Sequence, residues 1–371
     1  MNDKWLEGLH ERTVNFLNSI KKEENSFTFY PLKKDFTEVG GKLNLGFSCY
    51  ALKLFHILNI WNELDEKDSS GWKLYLNSFQ KNYKSYPLNS FIDDEFLNGY
   101  EKLEFSQNVK FELKKLINMV SKKNYELKNQ KIATSIRAET KQAISSLYEV
   151  ESTNLKPYTD FPKKPKDIED FLSGLDWNLP WSSGAQYAGI CVFAQTQQYE
   201  EKEITINYLR EFSDKLVNTE YGIYQKGKIT NSSETINGVM KVLTGLDWID
   251  KEIHFPEKLI DLCLTSKPSQ EGCDLVDIVY VLYRCSLQTT YKRDDVINYL
   301  KDLISLIKHH SFEDGGFSYF INKSQTHYYG LKISNGPNLP DLHGTTLLVW
   351  ALSMIFNTIN PDESNWNVLK P

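Results

Sequence analysis

The sequence lacks most of the motifs that reveal a function directly. It has no Gly-x-Gly-x-x-Gly segment, no Walker A motif, no Gly-x-Ser-x-Gly and no His-Glu-x-x-His. It also lacks any block of like charge, because 43 Lys and Arg are mixed with 49 Asp and Glu, for a net charge of −6. Nucleic acid and anionic membrane surfaces are therefore poor candidate partners.

Long apolar runs and cysteine pairs are missing as well. No apolar run approaches the roughly 18 residues of a transmembrane helix, and the first residues carry neither the basic nor the apolar region of a secretory signal. The five cysteines are odd in number, and four of them lie within apolar helical patterns. This is typical of reduced thiols. We therefore expect a soluble, cytoplasmic protein without a transmembrane segment.

Helical periodicity dominates what is present. From residue 182 onward, helices of two kinds alternate. One kind is apolar nearly all round, begins with small or turn-forming residues, and covers 182–195, 232–246, 272–285 and 343–356. The other kind has one polar face and covers 203–218, 256–265 and 294–310. Alternating buried and half-buried helices predict an all-α fold with concentric inner and outer layers, an α/α toroid.

The chain divides into two parts on this pattern. We expect residues 131–371 to form the toroid, with the catalytic region in it. Residues 1–130 show helices but no recognisable motif, so they form either a cap or the first part of the ring. Two connections, 220–224 and 314–319, share an order of acid, glycine and aromatic residue. Each glycine allows a tight turn, and the aromatic segment after it is expected to be a short extended strip.

The C-terminal third carries a resemblance to a known superfamily. Asp314-Gly315-Gly316-Phe317, followed by a loop and by Asp341-Leu342-His343-Gly344-Thr345 at the start of an apolar helix, resembles the last repeat of the terpenoid cyclase and protein prenyltransferase toroids. The resemblance implies a central cavity and an isoprenoid substrate. The Asp-x-Asp-Asp and Gln-Trp motifs of terpenoid cyclases are absent. The fold therefore carries over better than the activity.

The resemblance also implies a metal. In the zinc-dependent prenyltransferases, the His at this position binds zinc together with an Asp and a Cys from an earlier inner helix. Here His343 has that position, and an earlier apolar helix begins with Cys273 and Asp274. Thiolate, carboxylate and imidazole would leave a fourth position for water or substrate. The alternative is that Asp274 caps its helix and Cys273 is a small buried residue.

Acid–base chemistry has its own candidates. Asp341 and His343 stand at the start of the last inner helix, where Asp341 could orient His343 as a general acid or base. Asp277 shares a helix face with Asp274, and Glu139 lies in the first turn of a helix predicted over 138–150. In the structural alternative, Asp341 is an N-cap, His343 packs, and Glu139 joins a surface ion-pair group.

Further polar and aromatic residues are candidates for substrate binding. They lie on apolar helices, at helix starts, or in a long loop that could form a lid. They are Arg137, Trp181, Gln186, Asn237, Lys241, His327, Tyr328 and Tyr329. Lys241 is placed to meet a phosphate or carboxylate.

Three functions remain open at this point. The first is a prenyltransferase- or terpenoid-cyclase-like enzyme acting on an isoprenoid, with possible zinc. The second is a glycan-active enzyme, a polysaccharide lyase or glycoside hydrolase, that uses the acid–base residues. The third is a non-catalytic toroid that binds another protein. Both enzymes would hold a small-molecule or oligomeric substrate in the cavity.

Overall fold

The computed structural model describes residues 4–103, 105–121, 125–226, 232–269 and 271–371, and this part of the chain is predominantly helical. The all-α prediction is confirmed at this level. The α-helices are α1 (Leu9–Ser19), α2 (Glu38–Lys42), α3 (Leu45–Ile57), α4 (Glu66–Asn77), α5 (Asp94–Glu101), α6 (Phe105–Val120), α7 (Lys128–Glu149), α8 (Pro165–Ser173), α9 (Pro180–Thr196), α10 (Lys202–Leu216), α11 (Ser232–Trp248), α12 (Pro256–Leu264), α13 (Gly272–Ser286), α14 (Arg293–Lys308) and α15 (Leu342–Ile359).

Four strands of two residues each form two antiparallel pairs. β1 (Gln80–Lys81) pairs with β2 (Ser90–Phe91), and β3 (His327–Tyr328) pairs with β4 (Leu331–Lys332). The second pair lies in the long loop before α15, so this loop has more regular structure than its sequence predicts.

Six helices pack on one another in a cycle. The packed pairs are α3 with α7, α7 with α9, α9 with α11, α11 with α13, α13 with α15, and α15 with α3. The four apolar helices predicted from residue 182 onward are α9, α11, α13 and α15. Their apolar side chains are buried on most sides, as expected for helices with little polar surface.

The helices of two neighbouring pairs in this cycle run in the same direction. Asp274, near the start of α13, accepts hydrogen bonds from Ser233 and Asn237 near the start of α11. Near the ends of the same two helices, Arg284 pairs with Asp247. α11 and α13 are therefore parallel, with their N-terminal ends side by side.

The same relation holds between α3 and α7. Gln142 donates to the carbonyl of Gly46 at the start of α3, with 3.2 Å between Nε2 and O. At the other end, His56 Nε2 lies 3.2 Å from a carboxylate oxygen of Glu149. α3 and α7 are therefore also parallel, with their C-terminal ends side by side.

Other helices pack against this cycle and keep a solvent-exposed face. α4 contacts α3 and α7, α10 contacts α9, α12 contacts α11 and α13, and α14 contacts α13 and α15. α10, α12 and α14 are the helices predicted to have one polar face, and each begins and ends within two residues of the predicted bounds.

The N-terminal half departs from the helical pattern of its sequence in two places. Residues 91–119 have helical periodicity, but the helical part of this range is divided between α5 and α6. The Asp93 side chain caps α5 by accepting from the Glu95 N–H, and Phe91 belongs to β2. α7 begins at Lys128, ten residues before the predicted start, because the Gln130 side chain accepts from the Leu127 N–H and stabilises the first turn.

Among the described residues, one helix has the length and composition of a membrane span. α15 has 18 residues, which the search for apolar runs in the sequence did not anticipate, and 67% of it is buried inside the protein. The core helix of a globular domain has the same properties. α15 packs on α3 and α13, so its apolar surface already has partners.

Candidate functional site

A short extended segment ties the start of α15 to the rest of the site. We call residues 317–320 the strap. Asp341 donates its backbone N–H to the Phe317 carbonyl, 2.9 Å away, and its carboxylate accepts from the backbone N–H groups of Tyr319 (2.8 Å), Gln325 (3.0 Å) and Gly344 (2.7 Å). Burial raises the pKa of Asp341 to about 6, although these N–H groups oppose the shift. Asp341 thus caps α15 and holds the strap.

His343 lies between two aromatic rings. Tyr50 from α3 stacks on it with 4.6 Å between ring centroids, and Tyr319 of the strap stacks on it at 5.3 Å. Burial, and secondarily Lys241 and Lys53, lowers the pKa of His343 to about 3. The imidazole is therefore neutral at physiological pH. Its buried Nδ1 has no hydrogen-bond partner in the described chain.

Asp341 does not orient the His343 ring by a hydrogen bond in the described structure. The three backbone N–H groups around its carboxylate come from the strap, the loop and the first turn of α15. Asp341 and His343 nevertheless lie close together, because Tyr319 contacts both. The Tyr319 N–H donates to the Asp341 carboxylate, and the Tyr319 ring stacks on His343.

The start of α13 brings a thiol and two carboxylates to the same region. Tyr319 Oη donates to Cys273 Sγ, 2.9 Å away, and burial raises the pKa of this thiol to about 11. Asp274 accepts from Ser233 and Asn237, both at 2.8 Å. Asp277 is 2% exposed, its Oδ2 has no partner among the described atoms, and burial raises its pKa to about 6.

Two of the three predicted zinc ligands, Cys273 and Asp274, have hydrogen-bond partners in this arrangement. Within the described ranges, no three His, Cys, Asp or Glu side chains are close enough to hold one ion. Tyr319 lies between Cys273 and His343, and the Asp274 carboxylate is held by α11.

The zinc site stays a prediction that metal analysis of the purified protein tests directly. If Cys273 and His343 bind zinc, about one equivalent should copurify with the natural chain and be lost from both Cys273→Ala and His343→Ala. A metal-free natural chain, or zinc that both variants retain, would contradict it.

Three lysines from three helices form a cluster that sequence reasoning found only in part. Lys241 of α11 was a candidate; Lys53 of α3 and Lys141 of α7 were missed. Burial lowers the pKa of Lys53 and Lys141, and the positive charge of Lys241 lowers both further. Lys53 also lowers the pKa of Lys141. In the described chain, none of the three forms a hydrogen bond or an ion pair with a carboxylate.

The lysine cluster borders open space. Lys53, Lys141 and Lys241 are half-buried, although the first two are deep enough for burial to shift their pKa values. On α9, which packs on α7 and α11, a Cβ placed on the half-buried Gly189 would meet no atom within 4 Å. Groups that are surrounded by protein but keep accessible surface line a recess. We infer such a recess among α3, α7, α9 and α11.

Glu139 of α7 and Tyr328 of the β3–β4 hairpin form a buried pair. The Tyr328 hydroxyl donates to Glu139 Oε1, 2.6 Å away, and the ring packs on Phe47 at 5.3 Å between centroids. Glu139 is 2% exposed, and its Oε2 has no partner among the described atoms. Burial raises the pKa of Glu139 to about 8, against the hydrogen bond from Tyr328. Its carboxyl is therefore mostly protonated at neutral pH.

The predicted lid residues point in different directions. In the β3–β4 hairpin, Tyr328 is buried and reaches Glu139, whereas His327 is exposed. Tyr329 is half-buried, and its carbonyl accepts from the Tyr100 hydroxyl at 2.5 Å. The hairpin is thus fastened to α5 and α7 by Tyr100 and Tyr328.

In the described structure, three other residues predicted to bind substrate make no contact with the site residues named above. Arg137 pairs with Asp160, 3.1 Å away, and lies over the Phe171 ring. Trp181 is 48% exposed at the start of α9. Gln186 is half-buried one turn later on the same helix.

The C-terminal ends of the parallel helices are covered. Glu149 accepts from the Lys370 backbone N–H at 2.5 Å, and the Trp248 indole donates to the Pro371 carbonyl at 2.7 Å. Residues 366–371 therefore lie across the ends of α7 and α11. A ligand would reach the recess from the N-terminal ends, where His343, Cys273 and Asp277 are found.

Comparison of the chain with protein-family models, with curated proteins and with solved structures found no match. The function therefore has to be argued from the residues of this site.

Proposed function

We propose that the six helices of the packing cycle form the inner wall of an α/α toroid, and that the protein is an enzyme of the prenyltransferase and terpenoid-cyclase type acting on an isoprenoid diphosphate. The cyclic packing of α3, α7, α9, α11, α13 and α15 supports the architecture, as does the parallel direction of α3 with α7 and of α11 with α13. Gly189 and the half-buried lysines support a recess inside it.

The lysine cluster is the observation that carries the substrate class. Ammonium groups taken out of water are costly unless a counter-charge is present. Lys53, Lys141 and Lys241 repel one another, and within the described residues none of them forms an ion pair with a carboxylate. Glu149 attracts Lys53 and Asp277 attracts Lys241 only at longer range. A ligand with several negative charges would remove this repulsion, and a diphosphate offers them on a compact group.

The proposed chemistry follows from the same charges. When the C–O bond of an allylic diphosphate breaks, the bonding electron pair goes to the diphosphate oxygen. Ammonium groups already in place stabilise that charge without reorganisation. The neutral His343 could then accept a proton from the carbocation or from an acceptor group, and the rings of Tyr50 and Tyr319 beside it supply aromatic faces.

An acidic glycan is the second candidate, because uronate carboxylates would also match the lysine cluster. The exposed ring of Trp181 at the start of α9 favours it, since sugar rings stack on exposed aromatic faces. Oligogalacturonate in the binding experiment below separates the two candidates.

Binding of farnesyl diphosphate to the full chain, measured by calorimetry, tests the proposal. Each of the variants Lys53→Met, Lys141→Met and Lys241→Met removes one charge-assisted hydrogen bond, which is worth about 1.5–3 kcal/mol. We therefore expect each to weaken binding by about 10-fold to 100-fold. Lys301→Met, on an exposed position of α14, is the matched control and should bind as the natural chain does.

A second variant tests the open space of the recess without changing its charge. Gly189→Trp should fill the open space and abolish binding while the protein unfolds at an unchanged or higher denaturant concentration. Failure of farnesyl diphosphate to bind the natural chain, or lysine variants that bind like Lys301→Met, would overturn the proposal. Binding of oligogalacturonate alone would favour the glycan enzyme.

A further inference from the structure

α6 exposes an apolar stripe. The exposed apolar side chains that form the stripe are Val109, Leu113, Leu116, Ile117 and Val120, with exposed fractions from 37% to 85%. Met119 is also exposed, to one side of the stripe. The stripe positions recur every three or four residues, so they share one helical face. No other helix or strand of the described chain packs closely along α6.

The opposite face attaches α6 to the protein. Phe111 is partly buried against the core, and on a helix it lies about half a turn from the stripe. The apolar stripe therefore points away from the rest of the molecule. A contiguous exposed apolar face of this kind marks an interaction surface rather than scattered surface residues.

The charge of the segment identifies the partner. Residues 110–131 contain seven lysines and two glutamates, whereas the whole chain has a net charge of −6. On α6 itself, the exposed Lys110 flanks one side of the stripe and the exposed Glu112 flanks the other, whereas Lys115 lies nearer the face of Phe111. An exposed apolar helix face within a lysine-rich segment is the pattern of segments that lie at the surface of an anionic bilayer.

We propose that α6 is an interfacial anchor, which inserts Leu113, Leu116 and Val120 between the headgroups of an anionic membrane and sets its lysines against the phosphates. A second copy of the chain fits this face poorly, because two lysine-rich segments would be brought together. The inference does not depend on the proposed function, although an isoprenoid substrate would partition into the same membrane. The net charge of −6 predicts that the chain as a whole does not bind an anionic membrane, but this local segment is basic.

Co-sedimentation of the full chain with vesicles tests the anchor. Vesicles of phosphatidylcholine with one-third phosphatidylglycerol should bind the protein, and binding should fall as salt rises. The double variant Leu113→Glu/Leu116→Glu, at two exposed positions, should lower the bound fraction at least about tenfold. Leu74→Glu/Leu155→Glu is the matched control, because these leucines are 63% and 69% exposed elsewhere.

The outcomes separate a membrane from a protein partner. Natural chain that stays unbound, or an α6 variant that binds as its control does, would overturn the proposal. So would a dimer, seen by light scattering, that the α6 variant alone dissociates. Retained farnesyl diphosphate binding in the α6 variant would show that the anchor and the recess are separate features.

Discussion

Gly344→Ala is expected to destabilise the fold by about 3 kcal/mol and to displace the residues around His343. A Cβ at Gly344 would lie 2.4 Å from the backbone nitrogen of Tyr319 and 2.6 Å from the carbonyl carbon of Ser318. Backbone atoms cannot rotate away as a side chain can. The strap is also fixed beside the clash, since the Phe317 N–H donates to Thr345 Oγ1 at 2.9 Å.

Urea unfolding measures this prediction, and Gly189→Ala is its matched control. Gly189 is also a glycine inside a helix of the packing cycle, but an added Cβ meets no atom within 4 Å. We expect that variant to be unchanged or more stable by about 0.5–1 kcal/mol, because alanine favours the helix over glycine. Equal stability of the two variants would show that the strap does not pack on α15 as described.

The apolar helices could be predicted from sequence because each one's pattern of apolar and small residues lies within its own segment. α9, α11, α13 and α15 have apolar side chains all round and small residues at their starts, so burial on most sides is the one stable arrangement. α5 and α6 were less predictable. The start of α5 depends on the Asp93 carboxylate, which also accepts from the N–H groups of Asn44 and Leu45, about 50 residues away along the chain.

In the candidate site too, contacts between residues distant in sequence could not be predicted. Asp341 and His343 were selected by their position at the start of an apolar helix and by the resemblance, but sequence could not show that backbone N–H groups of the strap and the loop surround the Asp341 carboxylate. Arg137 has its partner in Asp160, a contact that sequence does not reveal. Lys53 was detectable, since it is a charged residue within the otherwise apolar helix α3, and that argument had already selected Lys241.

Glu139→Gln is expected to stabilise the protein by an amount that grows with pH. The pKa of Glu139 rises from its ordinary value of 4.5 to about 8 on folding, because the carboxyl is buried. The folded chain therefore holds a proton that the unfolded chain releases. Its contribution to stability is fully present below pH 4.5 and is lost as the pH rises to about 8, at about 1.4 kcal/mol for each pH unit.

Glutamine removes this loss and keeps the local contact. Its side-chain oxygen can still accept from the Tyr328 hydroxyl, as Glu139 Oε1 does, and it cannot ionise. We expect both proteins to have similar free energies of unfolding at pH 4.5, and the variant to be more stable by roughly 4 kcal/mol at pH 8. Urea unfolding across this range measures the difference. Glu112→Gln, on the exposed surface of α6, is the control.

Activity measured on the same variant separates two roles of this buried acid. If Glu139 only fills space beside Tyr328, Glu139→Gln gains stability at pH 8 and keeps its rate of diphosphate release from farnesyl diphosphate. If the protonated carboxyl donates a proton in the reaction, the variant gains the same stability and loses activity by about 100-fold or more. A site that gives up stability for a reactive group is expected of an enzyme. Stability curves that stay parallel from pH 4.5 to 8 would instead show that Glu139 is ionised in the folded chain, and neither role would hold.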